Sequence, residues 1–148
     1  MIINKYLKNK HLAYNIYMRK FEDLLIENNI TPTKQRLDLA EIIFVKNQHF
    51  TAADLINTAS NSKFFISQAT IYNTLCIFEE KGLLKTINLQ NGCKFYDTNL
   101  NSHHHVYNTS TNTLMDISHD QIRFSKKPEI PQHLEIETTE VLIKVKNK

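Results

Sequence analysis

The dipeptide Asn91-Gly92 constrains this chain more than any other feature, because it stands between two short runs that read as strands, Leu83–Leu89 and Cys93–Asp97. Asn-Gly accepts the positive φ angles of a tight primed turn, so the flanking runs are expected to fold back as an antiparallel hairpin. Just upstream, Gly82 suits a helix C-cap. Before it, Ser67 is a good N-cap, and Ile71, Leu75 and Phe78 repeat at i, i+4, i+7 as a core-facing helical stripe. Earlier segments add helices. Phe21–Asn29 puts Phe21, Leu24 and Leu25 on one face with Met18 nearby, and ends at the Asn28-Asn29 pair. Thr31 or Thr33 can cap a helix over Lys34–Phe44, with Leu37, Ala40, Ile43 and Phe44 inward and Lys34, Arg36 and Asp38 mostly outward. Thr51-Ala-Ala-Asp54 reads as a capping-box start to a third helix, through Leu55 and Ile56. Three helices followed by a two-stranded hairpin is the winged helix-turn-helix order, whose helix before the wing is the one expected in a major groove.

The composition of that helix fits. With Ile71, Leu75 and Phe78 inward, the outer face of Ser67–Phe78 carries Gln68, Thr70, Tyr72, Asn73 and Thr74. Exposed helix faces are normally rich in Glu and Lys; amides and hydroxyls can instead read base edges. Charge is uneven in the same sense. Residues 1–96 hold twelve Lys/Arg against eight Asp/Glu, and residues 97–148 six against seven. The first twenty residues carry five Lys/Arg and no acid, a weak nucleic-acid footprint that a solvated basic arm explains nearly as well.

A second kind of sequence begins at Asp97-Thr-Asn-Leu-Asn-Ser-His-His-His105, a carboxylate six residues ahead of three imidazoles. In a strand, residues two apart share a face, so His103 and His105 can converge while His104 points away. That donor set suits a divalent ion. A solvated loop or the remnant of a purification tag would be the plain alternatives, although the run is internal and flanked by ordinary sequence. Val106-Tyr107, a polar turn over Asn108–Thr113 and Leu114–Ile117 follow as short strands, and Ile122 and Phe124 fit one helical turn. Pro128 and Pro131 break the chain before Leu134-Glu-Ile-Glu and Val141–Val145 alternate like strands. About fifty such residues bury too little surface to stand alone, so a dimerisation domain is expected. The two-fold symmetry of a dimer is what a palindromic operator demands.

No apolar run approaches the ~20 residues that span a bilayer, and the basic start lacks a continuous apolar region and a small-residue cleavage site. Cys76 and Cys93 stand seventeen residues apart, have no Cys-x-x-Cys partner, and read as small, partly buried apolar residues in a reduced cytoplasm. The domain expectation is therefore a basic N-terminal arm or helix over 1–20, a winged-helix domain over 21–97 and a dimerisation and metal-sensing domain over 98–148.

Thr31-Pro-Thr-Lys-Gln-Arg36, His49-Phe-Thr-Ala-Ala-Asp-Leu55, Ile66-Ser-Gln-Ala-Thr-Ile-Tyr-Asn-Thr-Leu75, Glu80-Lys-Gly-Leu-Leu84 and the histidine run together resemble the ferric uptake regulator family, over roughly residues 20–120. Tyr96-Asp-Thr-Asn before the histidines, Leu114-Met-Asp-Ile117 and the cysteine-free end look most like its iron response regulator subgroup. The resemblance implies an α+β chain with an N-terminal winged helix-turn-helix DNA-binding domain followed by a small α/β dimerisation domain. It implies a metal-responsive (iron-responsive) transcriptional regulator, a homodimer on double-stranded DNA, cytoplasmic and without a membrane partner. It places a regulatory metal site on His49, Asp97, His103, His105 and Asp116. Taken alone, His49 would be a surface histidine and Asp116 a strand-edge acid. Three imidazoles with two carboxylates suit Fe²⁺ or Mn²⁺, with Zn²⁺ able to compete in vitro. Haem on His103–His105 is a further implication of the subgroup likeness.

The chain also departs from the family pattern. Asn108 and Thr111 stand where many members carry a Cys-x-x-Cys pair, and two cysteines cannot supply a four-cysteine structural zinc. Thr31 replaces a residue that is often basic, and Asn73 one that is sometimes Arg. The expected DNA contacts are Lys34 and Arg36 on phosphates, with Ser67, Gln68, Thr70, Tyr72 and Asn73 facing the groove. Two other classes compete with this reading. A small metalloenzyme would need an open coordination position and a placed acid, base or nucleophile, whereas five protein ligands nearly fill the sphere. A winged-helix interaction module that does not bind DNA should present a more apolar face than Gln, Thr, Tyr and Asn.

Overall fold

A computed structural model describes residues 16–62, 64–126 and 128–148 of the 148-residue chain. The basic arm expected over 1–20 lies, up to residue 15, outside the described residues. The chain divides after Leu100 into two compact units. Among the described residues no helix is long and apolar enough to cross a membrane.

The first unit is built on four helices whose ends are set locally. Helix α1 covers residues 16–27 and buries Phe21 and Leu25. It stops where Asn29 takes φ 57° and the Ile30 N–H donates to the Leu25 carbonyl at 2.8 Å; Asn is among the few residues that tolerate the left-handed region. Helix α2, Lys34–Phe44, is capped by Thr33, whose hydroxyl accepts from the Arg36 N–H. Strand β1, His49–Thr51, leads into α3, Ala52–Ser60, through a reciprocal capping box between Thr51 and Asp54. Helix α4, Gln68–Glu80, is capped by Ser67 and buries Ile71, Leu75 and Phe78 as its spacing predicts. It ends on Gly82 at φ 71°, with the Gly82 N–H on the Glu79 carbonyl and the Leu83 N–H on the Phe78 carbonyl. This is the paired bonding of a Schellman motif.

The expected hairpin follows as β2, Lys85–Asn88, and β3, Lys94–Asp97, turning at Gly92 with φ 81°. It is shorter at its start than the apolar run suggested, because Leu83 and Leu84 finish the helix cap and sink into the core. β1 then adds to the other side of β3, giving the order β1-β3-β2. That strand was not expected: three residues are too few for a readable alternation.

Three polar positions depart from expectation in this unit. Asp38 is buried rather than outward, and its carboxylate accepts from Lys34 at 2.8 Å. Thr74 is only 2% exposed, completing an Ile71, Thr74, Leu75, Phe78 stripe at i, i+3, i+4, i+7. Cys76, expected partly buried, is exposed on α4.

The second unit is a three-stranded sheet of order β5-β4-β6. Strands β4, His104–Asn108, and β5, Thr113–Ile117, form an antiparallel hairpin, and β6, Leu142–Val145, returns parallel to β4. The helical turn lies at His119–Gln121, just ahead of the expected Ile122 and Phe124. Leu134–Glu137 forms no strand; Leu134 and Ile136 are 57% and 41% exposed. Among the described residues of this unit only Tyr107, Leu114 and the three histidines of the run are buried, whereas Met115, Phe124, Leu142, Ile143 and Val145 are exposed.

Two outcomes follow for stability. Leu75 is fully buried in the helical core, so Leu75→Ala should cost about 2–5 kcal/mol in urea unfolding. The wing is fastened to α4 through Glu79, which accepts from Lys94 at 2.7 Å and Thr86 at 3.1 Å. The Lys94 hydrogen bond holds the Glu79 carboxyl below its ordinary 4.5 and raises Lys94 in turn. A depressed carboxylate stabilises above its unfolded pKa, and that contribution is lost as pH falls through the lower folded value. The pair is part-exposed, so its worth is about 0–1 kcal/mol. Glu79→Gln should accordingly lower stability slightly at pH 7 and flatten the loss seen in the wild type on going from pH 5 to pH 3, both read from urea midpoints.

Candidate metal centre

The first unit contributes two donors. β1 and β3 pair so that His49 lies directly opposite Asp97, and His49 Nε2 stands 3.5 Å from Asp97 Oδ2. Asp97 is 1% exposed, and its other oxygen accepts from the Asn99 N–H at 2.7 Å, which fixes the carboxylate plane. The strand bearing His49 is anchored by Gln48. The Gln48 side-chain amide donates to the Ile42 and Ile43 carbonyls at 2.8 and 2.7 Å, and its backbone N–H donates to the Thr98 hydroxyl at 2.9 Å. The orphan carbonyls at the end of α2 therefore hold the histidine's strand in place.

The second unit contributes three. His103 precedes β4, His105 lies on it, and Asp116 on β5 pairs directly with His105. The two imidazole rings stand 4.4 Å apart, and one ligand atom from each of the three residues lies within 4.8 Å of the others. His103 Nδ1 is 2.8 Å from the Asn101 carbonyl. A carbonyl can only accept, so Nδ1 carries the proton and Nε2 presents its lone pair. That lone pair faces Asp116 Oδ1 at 3.2 Å. Two acceptors this close require a cation between them, a proton or a metal ion. An imidazole oriented like His103, through its far nitrogen by a carbonyl and beside a carboxylate, has the donor chemistry of a divalent-metal site.

His104 serves a different end. It faces away from this group as strand alternation predicts, is fully buried, and packs edge-on to His119 at 4.4 Å and to Phe124 at 6.4 Å. The Val141 N–H donates to its Nδ1 at 3.3 Å, tying the approach to β6 onto β4. Burial, then the neighbouring His119, pushes its pKa down. It is a neutral core histidine.

The expected DNA-facing residues divide into three groups. Gln68, Tyr72 and Asn73 are exposed along α4. Ser67 and Thr70 are engaged with each other, hydroxyl to hydroxyl at 2.9 Å, and Ser67 also caps the helix. Lys34 is 84% exposed at its side chain but bonded to Asp38, and Arg36 donates to the Thr31 carbonyl at 2.9 Å. Phe65, which the sequence reading passed over, is 97% exposed just ahead of α4. An aromatic residue out of phase with the helical stripe was the available signal. Asn108 accepts from the Ser110 and Thr111 N–H groups and donates to Asn147 at 2.9 Å.

The chain thus carries a winged-helix unit followed by a small sheet unit, with an imidazole–carboxylate group in each. The sequence profile of the ferric uptake regulator family matches residues 27–146, and the chain belongs to that family, whose members are transcription regulators. It is 27% identical over 97 residues to a ferric uptake regulation protein of Campylobacter upsaliensis, covering 64% of this chain and 62% of that one, a little under two thirds of the relative's length. It is 26% identical over 110 residues to the peroxide-responsive repressor PerR of Staphylococcus saprophyticus, covering 74% and 73%. Among solved structures, the Vibrio cholerae ferric uptake regulator superposes with a TM-score of 0.69 at 18% identity, over 84% of this chain and 98% of that one. The Pseudomonas aeruginosa regulator with manganese gives 0.66 at 19%, over 86% and 97%. These likenesses show the fold.

For the donors of the second unit, Asp116→Asn should weaken Co²⁺ binding about tenfold or more, the scale on which even supporting groups act, in a titration followed by the cobalt d–d absorption. Unchanged affinity would remove Asp116 from the ligand set.

Proposed function

We propose that this protein is a homodimeric, metal-responsive transcription regulator that binds palindromic double-stranded DNA, with one regulatory site made of His49, Asp97, His103, His105 and Asp116. The observation that carries it is the division of donors: two pre-oriented on β1 and β3, three on and beside the β4–β5 hairpin, on either side of the boundary at Leu100. Neither group alone supplies the four to six donors that divalent ions take. Shared by both groups, an ion would tie the wing strand β3 to the sheet unit, and so bias how two copies present α4 to a duplex. Nitrogen and oxygen donors without thiolate favour Fe²⁺ or Mn²⁺ as the working metal, with Zn²⁺ a competitor on affinity.

The dimer reading rests on the exposed Leu142, Ile143, Val145 and Met115 of the sheet unit, a stretch of apolar surface that a second copy would cover. The DNA reading rests on Gln68, Tyr72 and Asn73, exposed along a helix of 13 residues ahead of a wing. Within the family, we place the chain nearest the iron response regulator subgroup, on Tyr96-Asp-Thr-Asn, the histidine run and Leu114-Met-Asp-Ile117. Haem on that run is the less favoured ligand, because it would have to take His103 Nε2 from Asp116 and His104 from the core.

The test is binding to a duplex selected from a random pool, followed by fluorescence anisotropy with and without Mn²⁺ at several salt concentrations. Affinity should fall steeply with salt as lysines and arginines release counterions. Mn²⁺ should change it by about 5–150-fold in either direction, the usual range of allosteric coupling. His103→Ala and Asp97→Asn should each abolish the metal response while sparing salt-sensitive binding. A full metal response in both variants would overturn the shared site.

A further inference from the structure

Phe65 is the most exposed large apolar side chain among the described residues, at 97%. An aromatic side chain carries about 150–250 Å² of surface, and water is a costly place to leave it. Its neighbours are held. The Phe64 N–H donates to the Ser62 hydroxyl at 3.1 Å, and the Lys34 ammonium stands 5.9 Å from the Phe64 ring centroid. Ile66 packs against the helical core, and Ser67 caps α4. With Phe64 and Ile66 half-buried on either side, Phe65 is turned out by the same contacts that seat them. It stands two residues ahead of the cap of α4, at the helix end whose residues meet base edges in this class of fold.

We propose that Phe65 is a specificity-determining residue that packs on the C5-methyl group of a thymine in the major groove; the proposal rests on the DNA-binding reading above. The next exposed side chains along α4 that carry hydrogen-bonding groups are Gln68, Tyr72 and Asn73. A phenyl ring cannot join them in that, and the thymine methyl is the apolar feature a base edge offers. Surroundings favour DNA over a protein partner. The excess of Lys and Arg over Asp and Glu in residues 1–96 suits phosphates, whereas a protein-binding aromatic normally centres an apolar patch.

The test uses the full-length protein with Mn²⁺ and the duplex that it selects from a random pool. Each thymine is replaced in turn by deoxyuridine, which lacks only the methyl group, and affinity is read by fluorescence anisotropy. At one symmetry-related pair of positions the wild type should lose about fourfold per methyl, the worth of one buried carbon. Phe65→Ser should bind the thymine duplex as weakly as the wild type binds the deoxyuridine duplex, and should not discriminate between them. Because Phe65 supports no packing, urea midpoints of the two proteins should agree. A wild type indifferent to deoxyuridine at every position, while its metal-dependent binding persists, would overturn the proposal and leave the functional reading intact. Phe65→Ser with undiminished affinity and discrimination would remove Phe65 from the thymine contact and would also overturn the proposal. Absence of any selected duplex would sink the DNA reading, and this proposal with it.

Discussion

Strand β3 is hydrogen-bonded on both edges, and most of what is functional in the first unit depends on that pairing. On one side it closes the wing with β2; on the other it pairs with β1. Four residues long, it carries Lys94, which fastens the wing to α4, and Asp97, which faces His49. A slip of one residue would turn every side chain of β3 to the other face, separating Asp97 from His49 and Lys94 from Glu79 together. The turn at Gly92 and the stacking of Phe50 on Tyr96, ring centroids 5.6 Å apart, pin the register from both ends.

In the second unit the same alternation sorts three consecutive histidines into two roles. His103 and His105 gather with Asp116, whose Oδ1 stands 3.2 Å from His103 Nε2. His104 goes the opposite way, into a small core against His119 and Phe124, and holds β6 in place through Val141. A unit whose buried side chains are chiefly Tyr107, Leu114 and imidazoles is poorly supplied with apolar contacts. Side-chain and backbone hydrogen bonds make up part of the difference. The Thr109 N–H and hydroxyl both donate to the Val145 carbonyl, and the Asn147 N–H donates to the Ser110 hydroxyl. These bonds tie the β4–β5 turn to the residues that end and follow β6.

Helix ends were legible because their causes are local. Thr33, Thr51 and Ser67 cap through their own hydroxyls, and Asn29 and Gly82 stop helices by entering the left-handed region. The hairpin followed from Asn91-Gly92, although only Gly92 takes a positive φ and the turn runs from Leu89 to Cys93 rather than being a two-residue primed turn. Polar residues whose partners lie elsewhere misled the reading. Asp38 is outward by charge and inward by its bond to Lys34, and Thr74 is polar by type yet falls on the buried stripe. Leu134–Glu137 alternates like a strand, but nothing pairs with it among the described residues, and alternation without a neighbour makes no sheet.

What the sequence determined by itself, then, was the set of elements whose boundaries are written in caps, glycines and helical spacing, together with the family pattern that nominated the five ligands. Tertiary structure decided what depends on contacts between distant segments. It created β1 by lending it β3 as a template, which set His49 opposite a carboxylate 48 positions away. It returned β6 parallel to β4 and left Leu134–Glu137 without a strand. It also left Phe65 in solvent while seating the residues on either side. Caps and turns are satisfied within a few residues, so one sequence window contains their cause. Strand pairing and burial are satisfied across the fold, and no window contains both partners.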